Sequence, residues 1–230
     1  MIPTRRPWAL LAVALATFMT YLDNNIVNVA IPAIQRDLGL TTSALEWVVS
    51  GYILVFAGLL LAGGRLADAF GRRRLFLIGL AVFTGASLAA GLADSFAVLV
   101  TARAVQGLGA ALVTPTTLAI ISAAYPEPRE RARAVGIWAG VGGLALAVGP
   151  LIGGVLAQHA SWGWIFTINV PVGIATLALA GWAVTESRES VRRSRALSTP
   201  AVHRGRFGRG SVELARERSR GRAVSRRNGA

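Results

Sequence analysis

Six long apolar segments occupy most of the first 190 residues of this chain. A helix needs about 20 apolar residues to cross a bilayer core about 30 Å thick, because a helix pairs its own backbone groups there. Six segments meet this requirement: 8–31, 47–66, 75–93, 97–124, 134–157 and 164–184. The pattern predicts an all-α membrane protein, with a bundle of six transmembrane helices over residues 1–190.

The composition agrees with a lipid environment and disfavours an enzyme. Hydrophobic residues make up 53% of the chain and charged residues 15%, which is more apolar sequence than the core of a soluble domain uses. There is no cysteine, and His159 and His203 are too few for a zinc site. We therefore expect no catalytic residues, no metal site and no cofactor.

Positive charge is concentrated after residue 190. Residues 1–190 contain 12 Arg and 9 acidic residues, whereas residues 191–230 contain 12 Arg and 2 acidic residues and have no apolar segment that could span a membrane. The pattern predicts a disordered Arg-rich tail over 191–230. Three interpretations stay open: an arm that binds anionic lipid, an arm that binds nucleic acid, or translation of G- and C-rich DNA in a shifted frame. Phe207 alone offers a base an aromatic surface, which makes nucleic acid the weaker partner.

Arginines near the ends of the predicted helices define an orientation. They occur before helix 1, between helices 2 and 3, between helices 4 and 5 and after helix 6: Arg5, Arg6, Arg65, Arg72, Arg73, Arg74, Arg129, Arg131, Arg133 and Arg188. The opposite loops contain only Arg36. The positive-inside rule then predicts a multi-pass protein of the bacterial inner membrane with both ends in the cytoplasm. A secretory signal peptide, or a twin-arginine one, is the alternative for the first segment, which is longer than the ~7–15 apolar residues of a signal.

The first predicted helix carries polar residues deep in its apolar run. Thr20, Asn24 and Asn28 recur every four residues and share one helix face, with Asp23 beside it. A charge in hydrocarbon costs about 2.5–3.5 kcal/mol or more, so an intramembrane aspartate is a functional candidate. These residues either line a water-filled cavity or form hydrogen bonds that hold helices together.

A second intramembrane charge lies in the fourth helix. Arg103 and Gln106 are three positions apart and share a helix face. At 1.5 Å per residue, Asp23 lies about 22 Å along the first helix and Arg103 about 9 Å along the antiparallel fourth, so both reach a similar depth. We hypothesise that Asp23 and Arg103 interact electrostatically, and that protonation of Asp23 alters the field across a cavity. A static buried ion pair is the alternative.

Four motifs, in order, resemble the Major Facilitator Superfamily. Residues 64–74 (GRLADAFGRRR) form a predicted tight turn and resemble its signature between helices 2 and 3. Residues 103–109 (RAVQGLG) are similar to its helix 4 motif, and residues 149–154 (GPLIGG) to its helix 5 antiporter motif. Residues 22–32 (LDNNIVNVAIP) and 162–173 (WGWIFTINVPVG) resemble the helix 1 and helix 6 signatures of the fourteen-helix drug:proton antiporter branch, the EmrB/QacA type.

The resemblance implies roles for residues at matching positions. The proton-coupling and cavity group would comprise Asp23, Asn24, Asn28, Arg103 and Gln106; the cytoplasmic gate would comprise Gly64, Asp68, Gly71 and Arg72; and antiport-specific packing would fall to Gly149, Pro150, Gly153 and Gly154. Two positions depart from the family pattern, which usually has Thr where Asn25 stands and Arg where Gly163 stands.

The family resemblance also implies what the protein does and needs. It implies a multidrug antiporter that exports small amphipathic or cationic molecules, with a proton gradient as driving force and no cofactor. Family members continue into a second helical bundle, and the substrate cavity lies between the two halves. We therefore expect this chain to be an amino-terminal half that needs a second half or self-association for transport. A non-transporting fragment, an assembly partner or a membrane anchor with a basic arm are the alternatives.

Overall fold

Seven helices make up the part of the chain that the computed structural model describes, residues 5–186 apart from the side chains of residues 157 and 158. They are α1 Arg6–Leu38, α2 Thr42–Phe70, α3 Arg72–Gly91, α4 Phe96–Ala124, α5 Pro128–His159, α6 Trp164–Thr167 and α7 Asn169–Ala183. Together α6 and α7 form one span, so six segments are long and apolar enough to cross a membrane. The predicted bundle of six helical spans is confirmed. Arg188 and the predicted tail over 191–230, with His203 and Phe207, lie outside the described residues.

Several helices extend beyond the predicted spans, because the prediction counted only apolar residues and capping residues set the actual ends. α1 continues to Leu38, and Gly39 ends it with a left-handed φ of 62°. α2 begins at Thr42, where the Thr41 side chain accepts a hydrogen bond from the amide of Ala44 at 3.3 Å.

The fifth helix begins six residues earlier than the predicted 134. It starts at Pro128, and the carboxylate of Glu127 accepts a hydrogen bond of 2.6 Å from the amide of Glu130. Hydrogen bonds from the backbone amides of Arg129 and Glu130 lower the pKa of Glu127. Proline at the first turn and an acidic cap are both typical of a helix start, so the polar residues here are helical.

The segment 64–74 is helical and not the predicted turn. α2 runs to Phe70 and α3 begins at Arg72, so Gly71 alone joins them, with φ of 107°. A residue with a side chain rarely adopts this φ, and glycine does so at little cost. Asp68 therefore lies in the last turn of α2, beside the start of α3.

The sixth span is divided between α6 and α7 at Ile168, whose backbone keeps helical angles. Pro171 has no N–H to donate to the carbonyl of Thr167, four residues earlier. The missing hydrogen bond coincides with the interruption of the helix at Ile168.

Glycines bring α4 into close contact with α2 and α3. A Cβ on Gly107 would lie 2.5 Å from the carbonyl oxygen of Tyr52 in α2, and one on Gly109 would lie 2.8 Å from the carbonyl oxygen of Gly79 in α3. Small residues allow helix backbones to approach closely in a membrane, where packing replaces the hydrophobic effect as the main attraction. α4 therefore lies inside the bundle, in contact with both neighbours.

Arginines gather at one end of the bundle. Arg6 forms an ion pair of 3.5 Å with Glu130, and Arg5 donates a hydrogen bond of 3.0 Å to the carbonyl of Trp182. Arg73 donates one of 2.6 Å to the carbonyl of Gly181. These contacts join the starts of α1, α3 and α5 to the end of α7, as the alternating direction of six spans requires.

Candidate functional site

A buried ion pair joins α1 and α4 inside the bundle. Arg103 Nη1 donates to Asp23 Oδ2 at 2.6 Å, and neither side chain is exposed. A short, charge-assisted bond of this kind is about twice as strong as a neutral hydrogen bond. The structure thus brings together the two charges that the sequence singled out, and they form a hydrogen-bonded ion pair.

Two amide side chains complete the hydrogen bonding of the Asp23 carboxylate. Gln106 Nε2 and Asn169 Nδ2 both donate to Oδ1, at 3.0 and 2.9 Å. Gln106 also accepts from Arg103 Nη1 at 2.8 Å and donates to Ser87 Oγ at 2.7 Å. Helices α1, α3, α4 and α7 therefore meet in one network, which we call the buried polar network: Asp23, Ser87, Arg103, Gln106 and Asn169.

Ser87 and Asn169 are members of this network that the sequence pattern did not single out. Asn169 belonged to the helix 6 signature, and an amide within an apolar span was the signal that could have identified it. Ser87 gave no such signal, because serine is common in membrane helices and can bond to its own backbone.

Aromatic rings surround the rest of the Arg103 guanidinium. Its central carbon lies 4.4 Å from the ring centroid of Tyr52 and 5.6 Å from that of Phe166, and Nε donates to the Val48 carbonyl at 3.2 Å. Nη2 has no hydrogen-bond partner among the residues that the structure describes. The ring faces supply cation–π attraction, which is strongest where water is excluded.

A cavity of about 310 Å³ lies next to this network. Four helices, α1, α2, α4 and α5, contribute its lining: Thr20, Tyr21, Asn24, Tyr52, Phe56, Thr114 and Leu146. Two members of the predicted polar stripe, Thr20 and Asn24, line the cavity, while Asn28 is exposed and outside the lining. Tyr52 belongs to both sites, because it lines the cavity and also lies under the guanidinium of Arg103.

Three of the four predicted gate residues meet at the joint between α2 and α3. Arg72 Nη2 donates to Asp68 Oδ1 at 3.1 Å, across Gly71. Glu186, which the sequence did not single out, accepts a hydrogen bond of 3.2 Å from the amide of Arg73. Gly64 lies elsewhere, where a Cβ would be 3.7 Å from Pro115 of α4. Gly64 is therefore a packing position in the structure and does not touch the joint.

Two glycines of the antiporter motif are contact points between α5 and α1. A Cβ on Gly149 would lie 3.3 Å from the Cβ of Asn25, and one on Gly153 would lie 2.9 Å from Cγ1 of Ile26. A Cβ on Gly154 would meet no atom within 4 Å among the described residues, and Pro150 is exposed. The motif thus divides between a packed face and an open face of α5.

The described residues form six candidate membrane spans around a buried carboxylate–guanidinium network, with a cavity beside it. Within residues 5–186, no group of three or more His, Cys, Asp or Glu side chains is placed to hold a metal ion. The profile of the Major Facilitator Superfamily matches residues 13–225. The chain belongs to this superfamily.

The relatives are named for drug resistance and export. The chain is 48% identical over 187 residues to multidrug resistance protein Stp of Mycobacterium tuberculosis, an alignment that covers 80% of this chain and 34% of the relative. It is 42% identical over 198 residues to puromycin resistance protein pur8 of Streptomyces alboniger, with 86% and 39% covered. It is 45% identical over 184 residues to a tetracenomycin C resistance and export protein of Streptomyces glaucescens, with 80% and 34% covered. The chain spans between a third and two fifths of the length of these relatives.

Solved transporters share the fold. A bacterial homologue of the human lysosomal transporter Spinster, in an inward-facing and occupied conformation, superposes with a TM-score of 0.69 at 23% identity, covering 84% of this chain and 48% of that one. A peptide transporter in complex with sulfate superposes with a TM-score of 0.68 at 18% identity, covering 82% and 42%. At these identities the likeness establishes the architecture alone.

Proposed function

We propose that this chain is the amino-terminal half of a proton-coupled exporter of small amphipathic or cationic drug-like molecules. The observation that carries the proposal is the position of the buried polar network directly beside the cavity, with Tyr52 in contact with both. The identity of 42–48% to named resistance and export proteins supports the substrate class.

Proton and substrate would compete through the charge of the network. With Asp23 ionised, its charge and that of Arg103 cancel, and a cation in the neighbouring cavity meets no net repulsion. A proton on Asp23 would leave the network with one positive charge, which disfavours a cation beside it. Because linkage is reciprocal, a bound cation would also oppose protonation. This charge balance supports an exchange of a proton for a cation.

The exposed face of α1 supports a requirement for a second bundle. Asn24 and Asn28 are exposed in the middle of an apolar helix, and a polar amide is costly to place against lipid. A second half or a second copy of the chain would cover this face and close the cavity between two bundles. Leu61 and Leu151, exposed by 82% and 70%, mark surfaces that suit the lipid bilayer.

The proposed setting is the bacterial inner membrane, with the arginine-bearing end of the bundle in the cytoplasm. The contacts of Arg5, Arg6 and Arg73 at one end support this orientation. Asp68 and Arg72 lie at the same joint as Arg73, and we propose that they act there as a cytoplasmic gate.

Ethidium efflux tests the proposal. Vesicles that contain this chain together with the second bundle of a related exporter should export ethidium when a pH gradient is imposed, and Asp23→Asn should abolish the gradient-driven part. Asp37→Asn, an exposed position on the same helix, is the matched control and should retain transport. Unchanged gradient-driven efflux in Asp23→Asn would refute the coupling role. Absence of efflux in every combination would favour a non-transporting membrane fragment.

A further inference from the structure

Pro150 leaves one carbonyl of α5 without its helical partner. In a regular helix the N–H of residue 150 would donate to the carbonyl of Leu146, and proline has no N–H. Leu146 is 44% exposed and lines the cavity, so its carbonyl oxygen is accessible to a donor other than its own helix. In membrane helices, side chains of neighbouring helices commonly satisfy a carbonyl that proline leaves unpaired.

Asn25 of α1 supplies this donor. Its Nδ2 donates to the carbonyl oxygen of Leu146 at 2.5 Å. The neighbouring Gly149 provides the space, because a Cβ there would lie 3.3 Å from the Cβ of Asn25 and 3.4 Å from its Nδ2. Gly149 and Pro150 thus act as a pair, in which one makes room for the side chain and the other frees the acceptor.

The bond connects two walls of the cavity. Asn25 follows Asn24, which lines the cavity, and Leu146 lines it from the side of α5. Asp23 of the buried polar network lies two positions before Asn25 on the same helix. A change in the distance between α1 and α5 would therefore change the width of the cavity beside the network.

We infer that Asn25 is a positioning residue that holds the proline-interrupted α5 against α1 and sets the width of the cavity. The substrate part of this inference rests on the proposed transport function, whereas the hydrogen bond to Leu146 does not. Asn25 is also the position at which the chain departs from the related helix 1 pattern. The departure has a physical role here, since an asparagine amide reaches the freed carbonyl.

A double-mutant cycle between Asn25 and Pro150 tests the bond itself. Asn25→Leu keeps the side-chain shape and removes the donor, and Pro150→Ala returns an N–H to the Leu146 carbonyl. We expect Asn25→Leu to lower the Tm of the 230-residue chain in nanodiscs, and to lower it much less when Pro150→Ala is also present. Equal losses of Tm in both backgrounds would overturn the inference, because the two positions would then be energetically independent.

A second cycle covers the case in which Pro150→Ala does not fold. Gly149→Ala places a methyl group against Asn25 and should lower the Tm by displacing the amide. Added to Asn25→Leu, it should lower the Tm by less than it does alone, since the hydrogen bond is already absent. Fully additive losses would contradict the arrangement. Gly154→Ala, at a position with no atom within 4 Å of the added Cβ, is the matched control.

Transport measurements then separate this inference from the proposed function. With the second bundle present, Asn25→Leu should raise the KM for ethidium several-fold and leave the dependence on the pH gradient intact, whereas Asp23→Asn should remove that dependence. Asn25→Thr keeps a hydrogen-bond donor, so its KM for ethidium should lie between those of the unmodified chain and Asn25→Leu. An unchanged KM in Asn25→Leu would refute the positioning role. If no variant transports ethidium but both double-mutant cycles show non-additive changes of Tm, the proposed function is refuted and the hydrogen bond between Asn25 and Leu146 is supported.

Discussion

Two aspartate–arginine pairs in this chain have the same chemistry and very different surroundings. Asp23 and Arg103 are 80 positions apart, lie on α1 and α4, and form a 2.6 Å contact with neither side chain exposed. Asp68 and Arg72 are four positions apart, lie on either side of Gly71, and form a 3.1 Å contact with the side chains 49% and 18% exposed. One pair is inside the bundle, and the other is at its surface.

The difference shows how burial changes what an ion pair does. Breaking a buried pair leaves an uncompensated charge and costs about 3–5 kcal/mol, whereas an exposed pair is worth about 0–1 kcal/mol. Separating the buried pair is therefore costly, because it leaves Arg103 and Asp23 without their counter-charges inside the bundle. The surface pair can open at little cost, which is compatible with the proposed gate.

Removing one member of the buried pair is the strongest way to test this contrast. Asp23→Leu should lower the free energy of unfolding by about 3–5 kcal/mol, because Arg103 would stay buried without its counter-charge. Asp23→Leu combined with Arg103→Met should recover most of that loss, without recovering proton-coupled transport. The measurement is reversible unfolding in detergent micelles, monitored by circular dichroism. A double variant as unstable as the sum of the two single variants would contradict a paired, energetically coupled network.

The next largest loss of stability is expected from disturbing the close contact between α2 and α4. This contact also places Tyr52 near Arg103. Gly107→Ala should lower the free energy of unfolding by about 1–3 kcal/mol, since the added Cβ would be 2.5 Å from the Tyr52 carbonyl oxygen. Gly58→Ala is the matched control in α2, where a Cβ meets no described atom within 4 Å. There the better helix propensity of alanine should stabilise the protein by about 0.5–1 kcal/mol. The same unfolding assay measures both variants. Equal losses of stability in Gly107→Ala and Gly58→Ala would argue against tight packing between α2 and α4 at Gly107.

The ring of Tyr52 adds a smaller contribution to the buried pair. Tyr52→Leu should destabilise the bundle by about 0.5–2 kcal/mol, because the guanidinium of Arg103 loses an aromatic face at 4.4 Å. Tyr52→Phe keeps the face and should change stability little. In the efflux assay the leucine variant should also bind ethidium more weakly, since Tyr52 and Phe56 stack at 5.9 Å and both line the cavity. A phenylalanine variant as unstable as the leucine variant would assign the effect to the hydroxyl group.

The surface pair should show the smallest effect on stability. Asp68→Asn should change the free energy of unfolding by no more than about 1 kcal/mol, and by less at high salt, because exposed pairs are screened. If the pair is part of a gate, ethidium efflux should fall although stability is nearly unchanged. Glu46→Gln, an exposed change at the other end of α2, should affect neither. A large loss of stability in Asp68→Asn would show that this pair is structural.

Much of the fold and part of the site could be predicted from the sequence. Long apolar segments must be helical in lipid, so six spans followed directly from the hydrophobic pattern. Asp23 and Arg103 were identifiable because a charge in hydrocarbon is costly and helix rise gives its depth. The segment 64–74 was predicted wrongly as a turn, because a single glycine can end one helix and start the next without any other change in the pattern.

The partners that α3 and α7 contribute to the network could not be predicted. Ser87 and Asn169 meet Gln106 and Asp23 only when α3 and α7 pack beside α1 and α4. Likewise, the pattern showed that Pro150 removes a backbone donor, and it did not show which group would replace it. A side chain 121 positions away does so.

The sequence alone determined that the helices lie in lipid, how many spans there are, and which polar residues lie inside apolar segments. Each of these depends on the free energy of transferring one segment from water to lipid. The tertiary structure decided which polar groups bond to which, which glycines are contact points, and where the cavity lies. Those outcomes depend on distances of a few ångströms between helices, and hydrogen bonds and close packing are lost over a shift of about one ångström. For this protein, the two buried charges and their pairing could be inferred from the sequence, whereas Ser87 and Asn169 could be assigned to the network only from the folded bundle.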